Sequence, residues 1–166
     1  MNKERVIILD KERIDKKLQR MAYQIWEHNS NEKGVTLVGI EKGGHIIAKS
    51  LGKRLEQISP LKVEVISLHV DKKNLLTDEV KIDHKPKHDS VILVDDVANS
   101  GKTMLHALRP FMAYELKKLM VAVLVDRKHK RFPVSSDIVG HSLATTLHDN
   151  IEVETKGDEI IAAYLQ

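Results

Sequence analysis

The chain predicts an α/β fold of three layers, with helices flanking a mostly parallel central sheet. Short, unbroken apolar runs at residues 36–40, 91–94 and 121–125 alternate with longer segments of helical period. Strands buried on both faces of a parallel sheet read as such runs. Two of the runs end in a turn of small residues that opens a helix, at residues 41–44 and 99–103. That junction is where α/β sheets gather their ligands.

Residues 6–9 form a short strand, and Asp10 is placed to cap the helix in which Ile14, Leu18, Met21 and Ile25 share one face. That helix ends within residues 29–34. Residues 36–40 are the first buried strand, residues 41–44 a glycine turn, and Ile47, Leu51 and Leu55 mark the next helix. Residues 62–68 alternate as a strand with one more exposed face. After the strand at residues 90–96, a helix carries Leu105, Leu108 and Met112 inward, and Pro110 kinks or ends it by removing a hydrogen bond. Residues 121–125 form another buried strand, and residues 138–141, 151–154 and 159–164 short terminal ones. Residues 69–89 are polar and lack a regular period, which suits either an active-site lid or a plain hairpin.

A chain of 166 residues builds one domain, residues 1–166, with a proper core. Its 42% hydrophobic and 31% charged residues fit a folded globular protein rather than a disordered one. The lack of cysteine excludes disulfides, thiolate catalysis and cysteine-based zinc sites. No apolar run approaches a membrane span and the first residues do not lead into a signal peptide, so a cytoplasmic location without membrane contact is expected. A net charge of +3 is too mild to indicate a nucleic-acid binder. The run Asp126-Arg127-Lys128-His129-Lys130-Arg131 is more basic than the average and reads as a solvated loop or as an RNA contact. His84 and His88 are four apart, but Pro86 between them removes the helical face a metal pair would need.

The densest chemistry lies in residues 90–103. The strand ends in Asp95 and Asp96, which can accept hydrogen bonds from two neighbouring sugar hydroxyls. Ala98, Asn99, Ser100, Gly101, Lys102 and Thr103 then offer backbone N–H groups, two hydroxyls and a helix start to one anion. A nucleotide P-loop is excluded, because Gly101-Lys102-Thr103 would need glycine at position 96, where Asp96 would repel a triphosphate. A second junction, Glu41-Lys42-Gly43-Gly44, closes residues 37–40 with a glycine turn, a helix start and one lysine charge. Two such junctions on one sheet edge suit a ligand carrying phosphate at both ends.

A hydrophobic strand, an acidic pair and a loop ending in Ser100-Gly101-Lys102-Thr103 resemble the phosphoribosyl-diphosphate (PRPP) motif of the type I phosphoribosyltransferases. The resemblance runs nearly the whole chain. Its spelling is most similar to the branch of pyrimidine-operon attenuation regulators, which carry uracil phosphoribosyltransferase activity. Residues 6–10, 92–97 and 122–127 support it, with His129, Arg131, Phe132-Pro133 and residues 137–140.

The resemblance implies that fold, with a flexible flap at about residues 69–89 and a small hood from residues 127–166 plus the N-terminal segment. It implies a pentosyl transferase that joins PRPP to a nucleobase, uracil favoured, giving a nucleoside monophosphate and pyrophosphate. Asp95 and Asp96 would hold the ribose, with Mg²⁺ held mainly by PRPP and reached by the same carboxylates. Residues 98–103 would wrap the 5-phosphate. Glu41, Lys42, Gly43 and Gly44 would face pyrophosphate, with a cis peptide bond between Glu41 and Lys42. Val97, Asp126, Arg127, Ile138 and Val139 would lie against the base, and no residue is assigned as a general base. A homodimer or larger homo-oligomer is implied too. Two alternatives stay open: a PRPP- or nucleotide-sensing, RNA-binding regulator, and an oxopurine enzyme, since Lys42-Gly43-Gly44 is similar to the hypoxanthine-guanine branch. Against the oxopurine reading, Asn99 stands where purine enzymes carry Asp and Asp126 where they carry Lys. Ile138 replaces the usual aromatic residue, and the flap is shorter than in the pyrimidine regulators and lacks their arginine-rich spelling.

Overall fold

In the computed structural model, residues 4–71, 80–146 and 148–166 are described. The chain begins with β1 (Val6–Leu9), α1 (Lys11–His28), β2 (Gly34–Ile40) and α2 (Glu41–Ile58). It continues through β3 (Lys62–Val70), β4 (Val80–Ile82), β5 (Ser90–Ala98), α3 (Lys102–Leu108) and a 3₁₀ turn (Arg109–Ala113). It ends with β6 (Lys118–Arg127), β7 (Ile138–Leu143), β8 (Ile151–Lys156) and β9 (Glu159–Leu165).

Asp10 caps α1 as its position predicts, its carboxylate accepting from the Arg13 amide at 2.8 Å. The inner stripe of α1 is Ile14, Leu18, Met21, Ala22 and Ile25. Beyond its last turn, buried Asn29 donates to the Ile25 carbonyl at 2.7 Å and accepts from the Ser90 hydroxyl at 2.5 Å. One amide thereby satisfies a helix end and fastens it to the start of β5.

Six strands form the main sheet in the order β4-β3-β2-β5-β6-β7, all parallel except β4. Val94 of β5 lies level with Gly39 of β2 and Ala122 of β6, so the three carboxyl ends open on one edge. The chain order reverses between β2 and β5, the point where such sheets leave a crevice. Strand alternation sorts the core into two halves. Leu37, Ile92, Val94, Ala122 and Leu124 pack with α1 and α2, while Val38, Ile40, Leu93 and Val123 pack with Met104, Ala107 and Phe111. Each of the larger burials contributes about 2 kcal/mol. A separate antiparallel sheet, β1-β9-β8, joins the N-terminal strand to the last hairpin. Among the described residues no helix is long and apolar enough to cross a membrane.

Two elements depart from the sequence reading. Met104, Ala107 and Phe111 are the buried inward residues; of the expected Leu105, Leu108 and Met112, Leu108 packs partly buried against that core, while Met112 is 78% exposed. Both stripes have the same spacing, so periodicity could not choose between them, and the bulk of Phe111 against the sheet decides. Pro110 does end the α-helix, which tightens into the 3₁₀ turn. At residues 41–44 the expected turn is not a separate element but the opening turn of α2, which begins at Glu41 directly after the strand.

Within residues 69–89, strand is confined to residues 69–70 and 80–82 among the described residues. His69 and Val70 complete β3 and pair antiparallel with Lys81 and Val80 of β4, while residues 72–79 lie outside the described residues. The returning arm is held by Glu64, which accepts from the Lys87 amide (2.8 Å) and the Thr36 hydroxyl (2.7 Å) and meets His84 Nε2 at 2.5 Å. Burial works against the Glu64 charge, but these bonds outweigh it and hold the carboxyl below its ordinary range. A depressed carboxyl stabilises the fold above its unfolded-state range, and that stability is lost as pH falls through the folded-state value. Glu64→Gln is therefore expected to lower the melting temperature at neutral pH, with the gap to the parent closing in acid. Thermal melts across that range check it, and a gap that stays constant would remove the role given to the Glu64 charge.

Candidate functional site

At the edge of the sheet, β5 leaves the core after buried Val94, and Asp95 and Asp96 emerge half-buried. Each carboxylate is oriented by the backbone that follows it. Asp95 Oδ1 accepts from the Asp96 amide at 2.9 Å, and Asp96 Oδ1 accepts from the Val97 amide at 2.7 Å. Asp96 Oδ2 lies directly over Gly43 in the first turn of α2, where an added Cβ would come within 2.3 Å of it. Glycine is required at that close approach.

The loop after β5 is braced from two sides. Ser100 Oγ accepts from the Lys102 amide at 3.2 Å, and Gly101 turns with φ +84° to start α3. The Ser100 carbonyl accepts from both the Arg131 and Phe132 amides at 3.1 Å, so the basic segment after β6 lies along the loop. Within that segment Lys130 is spent on Asp126, at 2.7 Å, with both side chains 13% exposed. Ser136 adds a hydrogen bond to the same Asp126 oxygen at 3.1 Å.

On the opposite side of the crevice, α2 starts without a side-chain cap, so its first-turn amides remain available to an anion. The expected cis bond between Glu41 and Lys42 is corrected here, since no peptide bond among the described residues is cis. The chain instead turns through a left-handed Glu41, with φ 54°.

These parts enclose a cavity of about 280 Å³. One wall is Ile40, Glu41 and Gly43, and another is residues 95–101 with Thr103 and Met104. The third wall, Ile151, Glu152 and Val153 of β8, carried no motif in the sequence. There β8 pairs with β9 and packs against β5. Asn99 Oδ1 is buried without a hydrogen-bond partner among the described residues, leaving one acceptor beside the cavity.

The other expected site residues stand outside this lining. Lys42 is exposed and Gly44 is packed behind the turn, near the Val94 carbonyl. Lys102 lies within 6.0 Å of the Phe132 ring centroid. Asp126 is engaged by Lys130, and Arg127, 9% exposed, donates to the Thr146 carbonyl. The Val139 carbonyl accepts from Arg20 at 3.0 Å. Ile138 is fully buried in the core beside α1, paired with Ala122 at the start of β7. In this structure it offers no stacking face to the cavity.

A family model described as the phosphoribosyl transferase domain matches residues 6–159. Among curated proteins, the Bifunctional protein PyrR of Limosilactobacillus reuteri is 34% identical over 160 residues, covering 88% of this chain and 89% of that protein. The Bifunctional protein PyrR of Bacillus cereus is 32% identical over 166 residues, covering 91% of each. Among solved structures, a hypoxanthine-guanine phosphoribosyltransferase from Bacillus anthracis superposes with a TM-score of 0.71 at 18% identity, over 86% of this chain and 85% of that one. A hypoxanthine phosphoribosyltransferase from Staphylococcus aureus does so with 0.73 at 16% identity, over 86% and 80%. Those two share the fold: a mostly parallel sheet with flanking helices. With the family match running from β1 into β9, the chain belongs to the phosphoribosyl transferase domain family.

Proposed function

We propose that the chain transfers the phosphoribosyl group of PRPP to a nucleobase, with uracil the favoured acceptor, and releases pyrophosphate. The observation that carries this reading is one cavity reaching the acid pair, the Ser100–Gly101 loop and the start of α2. Those three features suit a ribose with an anion on either side. In this reading Asp95 and Asp96 accept from the ribose hydroxyls, and residues 98–103 surround the 5-phosphate. The amides opening α2, with Lys42 nearby, receive the departing pyrophosphate charge.

Displacement at the anomeric carbon develops positive charge on the sugar and negative charge on the leaving group. The chain therefore has to orient reactants, favour the leaving anion and keep water out. Ile151 and Val153 supply an apolar wall on the β1-β9-β8 sheet, which serves as the hood, and the uncommitted Asn99 oxygen is free to accept from the base. The carboxylates of Asp95 and Asp96 are hard oxygen donors that fit Mg²⁺. When bound with PRPP, that ion would neutralise charge on the pyrophosphate.

A second reading, an RNA-binding attenuation regulator, is favoured by one observation: Lys128, His129 and Arg131 are exposed beside the site. Phosphate contacts of that kind would give binding that falls steeply with salt.

The test is incubation with Mg²⁺, PRPP and each of uracil, orotate, hypoxanthine, guanine, xanthine and adenine, scored for mononucleotide. Product with uracil is expected. Product only with an oxopurine would overturn the acceptor assignment. PRPP binding without product from any base would favour the regulator.

A further inference from the structure

Glu41 is an unexpected residue for its place. Left-handed backbone favours glycine, asparagine or aspartate, yet Glu41 adopts φ 54° at the first position of α2. Its carboxylate is engaged by the end of β3. Oε1 accepts from the Val70 amide at 2.7 Å, and Oε2 lies 3.2 Å from His69 Nδ1. The residue also lines the cavity beside Gly43. One residue thus shapes the anion end of the cavity with its backbone and grips the neighbouring strand with its side chain. A carboxylate held by an amide and an imidazole is also turned from repelling an anion to fastening the turn that would bind it.

We infer that Glu41 is a positioning residue, its carboxylate tying the turn at the pyrophosphate end of the cavity to the end of β3. The inference rests on reading that turn as the pyrophosphate end. Without the tie, the left-handed turn loses the contact that holds it, and the first amides of α2 lose their fixed aim.

Calorimetric titration of the full chain with Mg²⁺-pyrophosphate tests it, comparing the parent with Glu41→Gln, Glu41→Ala and Glu41→Gly. Glu41→Ala should bind about tenfold more weakly, as expected for losing a charged hydrogen bond. Glu41→Gln, whose amide oxygen still accepts from Val70, should stay within about threefold of the parent. Glu41→Gly relieves the backbone but lacks the tie, so it should weaken as Ala does. Hydrogen exchange at the Val70 amide should quicken in the Ala and Gly variants and not in Gln. Parent-like binding by both Ala and Gly would overturn this inference alone. Parent-like binding by Gly with weakening in Ala would assign the effect to the backbone and overturn it too. Failure of the parent to bind pyrophosphate would overturn the inference together with the reading of the turn.

Discussion

Asp96→Asn is expected to lower the affinity for PRPP by about ten- to hundredfold, the range for losing a charged hydrogen bond. The backbone is expected to survive, because an amide oxygen can still accept from the Val97 amide as Asp96 Oδ1 does at 2.7 Å. What changes is the other oxygen, which lies over Gly43 at the mouth between β5 and α2. There a charged acceptor becomes a neutral donor, to which the proposed ribose hydroxyl can no longer donate. Calorimetry with PRPP and Mg²⁺, beside a thermal melt, separates the two effects. A parent-like affinity would remove the ribose assignment of this residue.

Gly43→Ala reaches the same place from the opposite wall. The new methyl carbon would sit 2.3 Å from Asp96 Oδ2 and 2.8 Å from Asp96 Cγ. Asp96 has a short side chain whose first oxygen is already bound, so it cannot swing clear without breaking that bond. Either the carboxylate leaves its position or α2 backs away, and overpacking of this kind costs about 1–3 kcal/mol. Helix propensity returns at most about 1 kcal/mol for replacing glycine with alanine. The clash wins. PRPP binding should fall below detection while the fold persists with a lowered melting temperature. The double variant Gly43→Ala with Asp96→Ala should regain the melting temperature and not the binding. If the double variant melts no higher than Gly43→Ala alone, the clash with Asp96 is not the cause.

Residues 90–103 were legible because local chemistry announces itself. An apolar run, two carboxylates and a small-residue loop occupy one window, and each step along the chain is a step in space. The buried stripe of α1 and the Asp10 cap were legible for the same reason, since they depend on spacing within a few residues. Reading Glu41-Lys42-Gly43-Gly44 as a strand-to-helix junction placed it at the carboxyl edge of the sheet. The left-handed Glu41 was not legible, because the carboxylate that accompanies it is bound by His69 and Val70, twenty-eight and twenty-nine positions away.

Ile138 shows the limit from the other side. A motif aligned along the chain places it at a base, but the register of β7 on β6 puts it opposite Ala122, with its side chain buried in the core beside α1. In the same way Met104, Ala107 and Phe111 form the buried face of α3 and its 3₁₀ turn, and of the expected stripe Leu108 packs partly buried beside them. The third cavity wall at Ile151, Glu152 and Val153 follows from the pairing of β8 with β9 and its packing against β5.

The sequence by itself determined the α/β class, the strand that carries the acid pair, the two strand-to-helix junctions, and the absence of cysteine chemistry. The tertiary structure alone decided the strand order, which of two equal stripes is buried, the tie from Glu41 to β3 and the wall that closes the cavity. Periodicity and capping are set by neighbours a few residues apart, whereas register and cavity closure are set by packing between segments that meet only in the folded chain.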